Sequence, residues 1–170
     1  YMEDHGKNKF NDKKKVFNYL NTLKKRIYQD TFLPNFKDKI DDDEMYLVKS
    51  VPNGNKSMSA YYQLPDLDNE TKGTFYFNTH ELDKINKDEL LVLSVHEGNP
   101  GHHYEYLYHN RNNKSLYKKF TTYSTYSEGW ALYCELLTQP KNDYEYFWMI
   151  IYSLHRAIRL VVDTGIHWYG

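Results

Sequence analysis

The sequence contains one cysteine, Cys134, in 170 residues. That excludes a disulfide framework and a cysteine-built zinc module, so any metal held by this chain must sit on histidine and carboxylate. An excess of charge of one sign is also missing. Twenty-two Lys and Arg stand against 23 Asp and Glu, for a formal net charge of −1, which marks neither a nucleic-acid-binding face nor an acidic tail. No apolar run reaches the ~18 residues that a bilayer-spanning helix needs, and the N-terminus lacks the apolar core of a signal peptide. The expectation is a soluble chain with no nucleic-acid or membrane partner, the lone cysteine making the cytoplasm the default compartment. Oligomeric state is not legible. Repeats, low-complexity tracts and linkers are absent, which leaves one domain over residues 1–170 or part of a larger one. Tyrosine, by contrast, is abundant: 18 of them lift aromatic content to 17%, supplying rings that pack and still hydrogen-bond.

From Asp12 to Thr31, Val16, Leu20, Leu23 and Ile27 recur at spacings of three and four with lysines between them, which predicts an amphipathic helix stopped by Pro34. The acidic run Asp41 to Glu44 lacks the alternating ligands and glycine of a calcium loop and reads as a solvated turn. Tyr46–Val51, Met58–Leu64 and Gly73–Thr79 are short, β-branched or aromatic, and bounded by turn residues, so they read as strands. The second half reads as helical. Asn86 and Glu89 resemble a capping box before the apolar run Leu90 to Val95, a buried helix with His96 and Glu97 near its end. Ser124–Leu137 and Asp143 to about His167 are further helices, the last with Trp148, Ile151, Leu154, Ile158, Val161 and Val162 on its apolar face. The fold class is therefore α+β and predominantly α-helical, with a small β-sheet.

The chemistry concentrates in His96-Glu97-Gly98-Asn99-Pro100-Gly101-His102-His103. Three imidazoles and a carboxylate in so short a stretch suit zinc, and the carboxylate beside His96 could polarise a metal-bound water. The H-E-x-x-H pattern fails, because Pro100 occupies the fourth position after His96. On a regular helix His103, seven residues on, returns to the face of His96, whereas His102 does not. A bulge holding two extra residues at Asn99, Pro100 and Gly101 would instead place His102 where the second histidine belongs. Pro100 argues for irregular backbone and favours the bulge, with His103 kept as the alternative ligand. The third ligand is expected from Glu128, a carboxylate on an otherwise apolar helix. Glu135, seven residues later on the same face, could orient a ligand histidine. Arg159, Asp163 and His167, at successive spacings of four, form a polar stripe that could face the metal or simply brace its own helix. Cys134 reads as a small buried hydrophobe and Trp130 as packing.

The segments MSAYYQLPDLDNETKGTFYFNT, HEGNPGHHYEY, YSEGWALYCELL and RAIRLVVDTGIHWYG resemble, in that order, the signatures of the domain of unknown function 885 family, whose members look like zinc-dependent peptidases. The resemblance covers roughly Met58 to Gly170, while Tyr1 to Asn55 carries no motif of the family. Members are normally much longer, so the resemblance implies the catalytic region of a larger metallopeptidase-like domain, with a zincin-like helical core. It further implies a relative of the gluzincins in which His96, His102 and Glu128 hold one Zn2+ and Glu97 is the general base. His103 would then back a ligand or face substrate. The expected partner is a peptide substrate, lying along a sheet edge at Thr74 to Asn78, with His167, Tyr169 or Arg159 as donors to the developing oxyanion. Two other readings use the same residues: a metal-dependent amidohydrolase acting on a non-peptide substrate, and a metal-stabilised module without catalysis. Glu97 argues against the last, since a purely structural site has no use for a base beside its ligand.

Overall fold

A computed structural model describes residues 9–53, 57–66, 71–112, 115 and 123–169; residues 67–70 of the first family-like motif and Gly170 of the last lie outside these. Helix α1 spans Lys13–Ile27. Its periodic Val16, Leu20, Leu23 and Ile27 are all buried, and Asp12 caps the helix by accepting the Lys14 N–H at 3.0 Å. Pro34 does not stop this segment at its own position. The backbone passes through a π turn at Tyr28–Phe32 and a closing turn at Leu33–Asn35 before becoming extended at Phe36. The π turn has already shifted the hydrogen-bond register where the proline lacks its N–H.

Three strands follow: β1 (Leu47–Ser50), β2 (Ala60–Gln63) and β3 (Thr74–Phe77). Their order is β1-β3-β2, with β1 parallel and β2 antiparallel to β3. This corrects the expectation for 74–78, since β3 is the central strand and the edges of the three-stranded sheet are β1 and β2. Phe75 and Phe77, on one face of β3, are buried in the core cluster with α1 and α2 residues, while Tyr76 on the other face is partly buried. In β2 the alternation of antiparallel pairing can be read from the bond of the Asn78 N–H to the Ser59 carbonyl at 2.8 Å. Residues 61 and 63 therefore bond to β3, and residues 60 and 62 turn their backbone groups outward.

Helix α2 (Leu90–Glu97) lies at the centre, packed against α1, β2 and both later long helices, and seven of its residues, Leu90, Leu91, Val92, Ser94, Val95, His96 and Glu97, are buried. The capping box expected before it does not form. Asn86 Oδ1 accepts the Asp88 N–H, and the Glu89 carboxylate accepts the Tyr152 hydroxyl at 2.6 Å, which ties α2 to the last helix. Helices α3 (His102–Asn112), α4 (Ser124–Leu137) and α5 (Asp143–Tyr169) complete the fold. Only the first half of α5 is packed; Leu154, Ile158, Leu160, Val161, Val162 and Ile166 are exposed.

Arg26 of α1 grips the Glu145 carboxylate of α5 with two hydrogen bonds, at 2.6 and 2.7 Å. Burial on its own raises the Glu145 carboxyl, but the bonds from Arg26 and from the Lys141 N–H outweigh it and hold the carboxyl below its usual range. A depressed carboxyl contributes stability that is complete above the unfolded pKa, about 4.3, and is lost as pH falls through the folded value. Glu145→Gln is expected to cost about 2–3 kcal/mol at pH 7, and that deficit should shrink steadily below about pH 4. Urea unfolding of both proteins at pH 7 and at pH 3 checks this; an equal deficit at both would exclude the ion pair as its source.

Candidate metal centre

The two residues beyond an ordinary helical turn are visible in the backbone. The Gly98 N–H still bonds to the Ser94 carbonyl at 3.1 Å, but the Val95 carbonyl accepts from Gly101, six residues on, also at 3.1 Å. A continuous helix would offer it residue 99. The chain then restarts, with the His103 N–H on the Gly98 carbonyl and the Glu105 N–H on the Gly101 carbonyl; the Asn99–Pro100 peptide bond within the bulge is cis. Gly101 has no alternative, because a Cβ there would sit 2.0 Å from the His96 carbonyl oxygen and 2.4 Å from that of Val95. The bulge is also held from outside, as the Pro100 carbonyl accepts the Trp130 indole N–H at 2.8 Å and the Cys134 thiol at 3.4 Å. Burial pushes that thiol up to about 12, so Cys134 is a packing residue with no thiolate character.

With two residues discounted, His102 stands in the fourth place after His96. Their rings meet edge to face with centroids 4.7 Å apart. His103 points the other way, buried between Tyr46 and Tyr62, with the Tyr62 hydroxyl 2.8 Å from its Nδ1. Burial pushes the His103 pKa down to about 3, leaving it a neutral anchor between helix and sheet.

From α4, Glu128 completes a group in which ligand atoms of His96, His102 and Glu128 all lie within 4.8 Å of one another. His96 Nε2 is 3.4 Å from Glu128 Oε2, and His102 Nε2 is 3.7 Å from Glu128 Oε1. Ligands about 2.0–2.1 Å from a tetrahedral zinc are about 3.3–3.4 Å apart, so the donor set suits such an ion, with the His102–Glu128 pair a few tenths of an ångström wider than a closed tetrahedral site. The Glu128 side chain is 56% exposed and forms the open side of the group.

Both imidazoles are held from behind. Glu135 Oε1 accepts His96 Nδ1–H at 2.7 Å and an Arg156 N–H at 2.6 Å, which leaves the His96 Nε2 lone pair aimed at Glu128. His102 Nδ1 lies 3.2 Å from the Ser127 hydroxyl and 3.7 Å from Glu105 Oε2. Burial opposes a proton on His102, but Glu105, Glu97 and Glu128 outweigh it and raise its pKa. Glu97 is buried beside the ligands without being one of them. Its carboxyl is raised, chiefly by burial and further by Glu128, against the opposing pull of His96, His102 and the backbone N–H of Tyr62.

Glu135 therefore sits where the sequence placed it, and the Arg159, Asp163 and His167 stripe does not. His167 Nε2 is 3.5 Å from Asp163 Oδ1, both about three-quarters exposed, and Tyr169 is 80% exposed. The face was read correctly, since Tyr152 and Arg156 share it, but the rise of 1.5 Å per residue carries Asp163 and His167 roughly 10 and 16 Å beyond Arg156. Arg156 was missed, along with Ser127 and Glu105. The available signal was Glu135: a buried carboxylate on an apolar helix needs a cation, and Arg156 is the arginine on that face of α5 nearest the packed half.

A family model described as "Bacterial protein of unknown function (DUF885)" matches residues 3–170. The match starts ahead of α1 and so takes in the stretch before residue 56, in which no family motif was read. The fold superposes with a TM-score of 0.87 and 26% identity on a crystal structure described as "the putative lipoprotein from Colwellia psychrerythraea", covering 98% of this chain and 30% of that one. This chain thus spans less than a third of that protein. No curated protein matches. Among the described residues, no helix is long and apolar enough to cross a membrane.

Gly101→Ala tests the bulge. The added methyl meets backbone, not a side chain that can step aside, so a loss of about 1–3 kcal/mol is expected, together with loss of divalent-metal binding. Urea unfolding and chelator competition measure the two; unchanged metal affinity would show that the ligands do not depend on this backbone geometry.

Proposed function

The chain belongs to this bacterial family of unknown function, and we propose that it is the catalytic region of a zinc-dependent peptidase. The observation that carries the reading is the convergence of His96, His102 and Glu128 beside a buried Glu97 whose proton affinity is raised. Zinc held there supplies a Lewis acid that polarises a carbonyl and brings the ionisation of a water close to neutrality. The remaining work falls to the protein. Glu97 takes a proton from the attacking water and passes it to the leaving amine, and its burial tunes it towards such a shuttle. Glu135 and Arg156 fix the His96 ring so that the ligand geometry is set before substrate arrives.

Strand β2 is the edge along which we place the substrate. Residues 60 and 62 face away from β3, and the Tyr62 N–H reaches the Glu97 carboxylate, so an extended peptide pairing with this edge would run past the base. Glu97 also weighs against a module without catalysis, because burying a carboxylate beside the ligands is costly and the single backbone bond from Tyr62 does not offset it.

Glu97→Gln should lower peptide hydrolysis by about 10²–10⁴-fold while zinc still binds, and His96→Ala or Glu128→Ala should lose the metal itself. Turnover of a peptide library and zinc content of the purified proteins give the two readouts. Wild-type activity in Glu97→Gln would remove the base from the mechanism, and cleavage of simple amides with no cleavage of peptides would shift the reading to a non-peptide amidohydrolase.

A further inference from the structure

The two histidines of the centre are held by different devices, and one of them has no counterpart in the sequence reading. His96 leans directly on a carboxylate. Between His102 and its carboxylate stands Ser127, the residue immediately before Glu128: its Oγ is 3.2 Å from His102 Nδ1 and 2.5 Å from Glu105 Oε2. From this geometry we infer that Ser127 and Glu105 form a hydrogen-bond relay that fixes the tautomer and direction of His102 for metal binding; the inference rests on the zinc reading above.

The direction of the relay follows from the donors available. Glu105 Oε2 is a carboxylate oxygen 2.5 Å from the Ser127 hydroxyl, and it offers an acceptor there. The Ser127 O–H must then donate to Glu105, at a distance typical of a hydroxyl on a carboxylate. With its proton so used, the hydroxyl oxygen has only lone pairs to offer, and His102 Nδ1 must carry the hydrogen that meets it. That leaves the Nε2 lone pair, which lies 3.7 Å from Glu128 Oε1. A serine inside a helix ordinarily turns its hydroxyl back to the carbonyl four residues earlier. Ser127 instead reaches across to α3 and donates to the buried Glu105. Because Ser127 and Glu128 are consecutive, α4 presents a ligand with one residue and orients a ligand with the one before it. These are positioning residues, since neither is among the grouped ligands.

The test separates orientation from mere packing of α3 on α4. Zinc affinity of the intact protein is measured by chelator competition, and the His102 tautomer is read in the zinc-free protein from imidazole nitrogen shifts at the alkaline end of a pH titration, once they no longer change. Ser127→Ala is expected to weaken zinc binding about 10–100-fold and to move His102 from the Nδ1–H tautomer to a mixture. Ser127→Thr, which keeps the hydroxyl, should restore both. Glu105→Gln should fall between, its amide oxygen still accepting but without the charge. A packing role alone would lower the melting temperature of Ser127→Ala and leave tautomer and zinc affinity within twofold of wild type, and that result overturns the relay. If wild-type protein binds no zinc, the metal reading falls by itself, and the tautomer comparison still decides whether the relay exists.

Discussion

The hydrogen bond from the Gly101 N–H to the Val95 carbonyl is the constraint on which the site depends. On an unbroken helix His102 would stand about 240° around the axis from His96, and no rotamer brings two rings together across that angle. Removing two residues from the count restores the spacing of four. The backbone can do this only because Gly98 and Gly101 pass where a Cβ would collide with Ser94, Val95 or His96. Trp130 and Cys134 hold the same bulge by its Pro100 carbonyl, and both belong to the helix that carries Glu128. One local feature therefore sets the distance between the histidines and also the approach of the third ligand. The hydrogen bonds concerned are worth only about 1 kcal/mol each, so the precision of the centre comes from their number and from the steric demand at Gly101.

Charge in the centre points the same way. Glu97, Glu105, Glu128 and Glu135 surround two imidazoles, and Arg156 answers Glu135 directly. Some of the negative potential remains uncompensated, and two neighbours respond to it in the same sense, each pushed towards holding a proton. His102, against the effect of its burial, is pushed towards holding a proton by Glu105, Glu97 and Glu128; Glu97, already raised by burial, is pushed further by Glu128. A divalent cation between Glu128 and the two Nε2 atoms would relieve both. The donor set, its spacing and this imbalance of charge are three separate reasons for the metal reading, and each follows from residues of this chain.

Much of this was legible in the sequence where local rules govern. The α1 periodicity gave its core residues, α4 has the boundaries expected of it, and Pro100 with Gly101 was enough to prefer the bulge and hence His102 over His103. What escaped depended on distance along an axis or on a neighbour's position. Arg159, Asp163 and His167 share a face with Arg156, but periodicity reports angle and not how far a helix runs beyond its packing partner. β3 looked like a sheet edge because an isolated strand carries no record of its neighbours, and its pairing on both sides is a property of the tertiary fold. The exposure of Glu128 was not legible either, since hydropathy places a carboxylate on an apolar helix but does not show that this turn of α4 faces outward. Ser127 was overlooked because a serine before a glutamate carries no signal until α3 is seen opposite.

The two histidines are held by different groups, but both sets of supports meet on one helix. His96 is locked at Nδ1 by Glu135, which is itself held by Arg156. His102 depends on Ser127 and is opposite Glu128. Glu135, Ser127 and Glu128 all belong to α4, as do the Trp130 and Cys134 that hold the bulge. On the zinc reading, α2 and α3 therefore present the two imidazoles, while α4 supplies the third ligand and the groups that orient the other two, so the register of α4 against α2 sets the geometry of the whole centre.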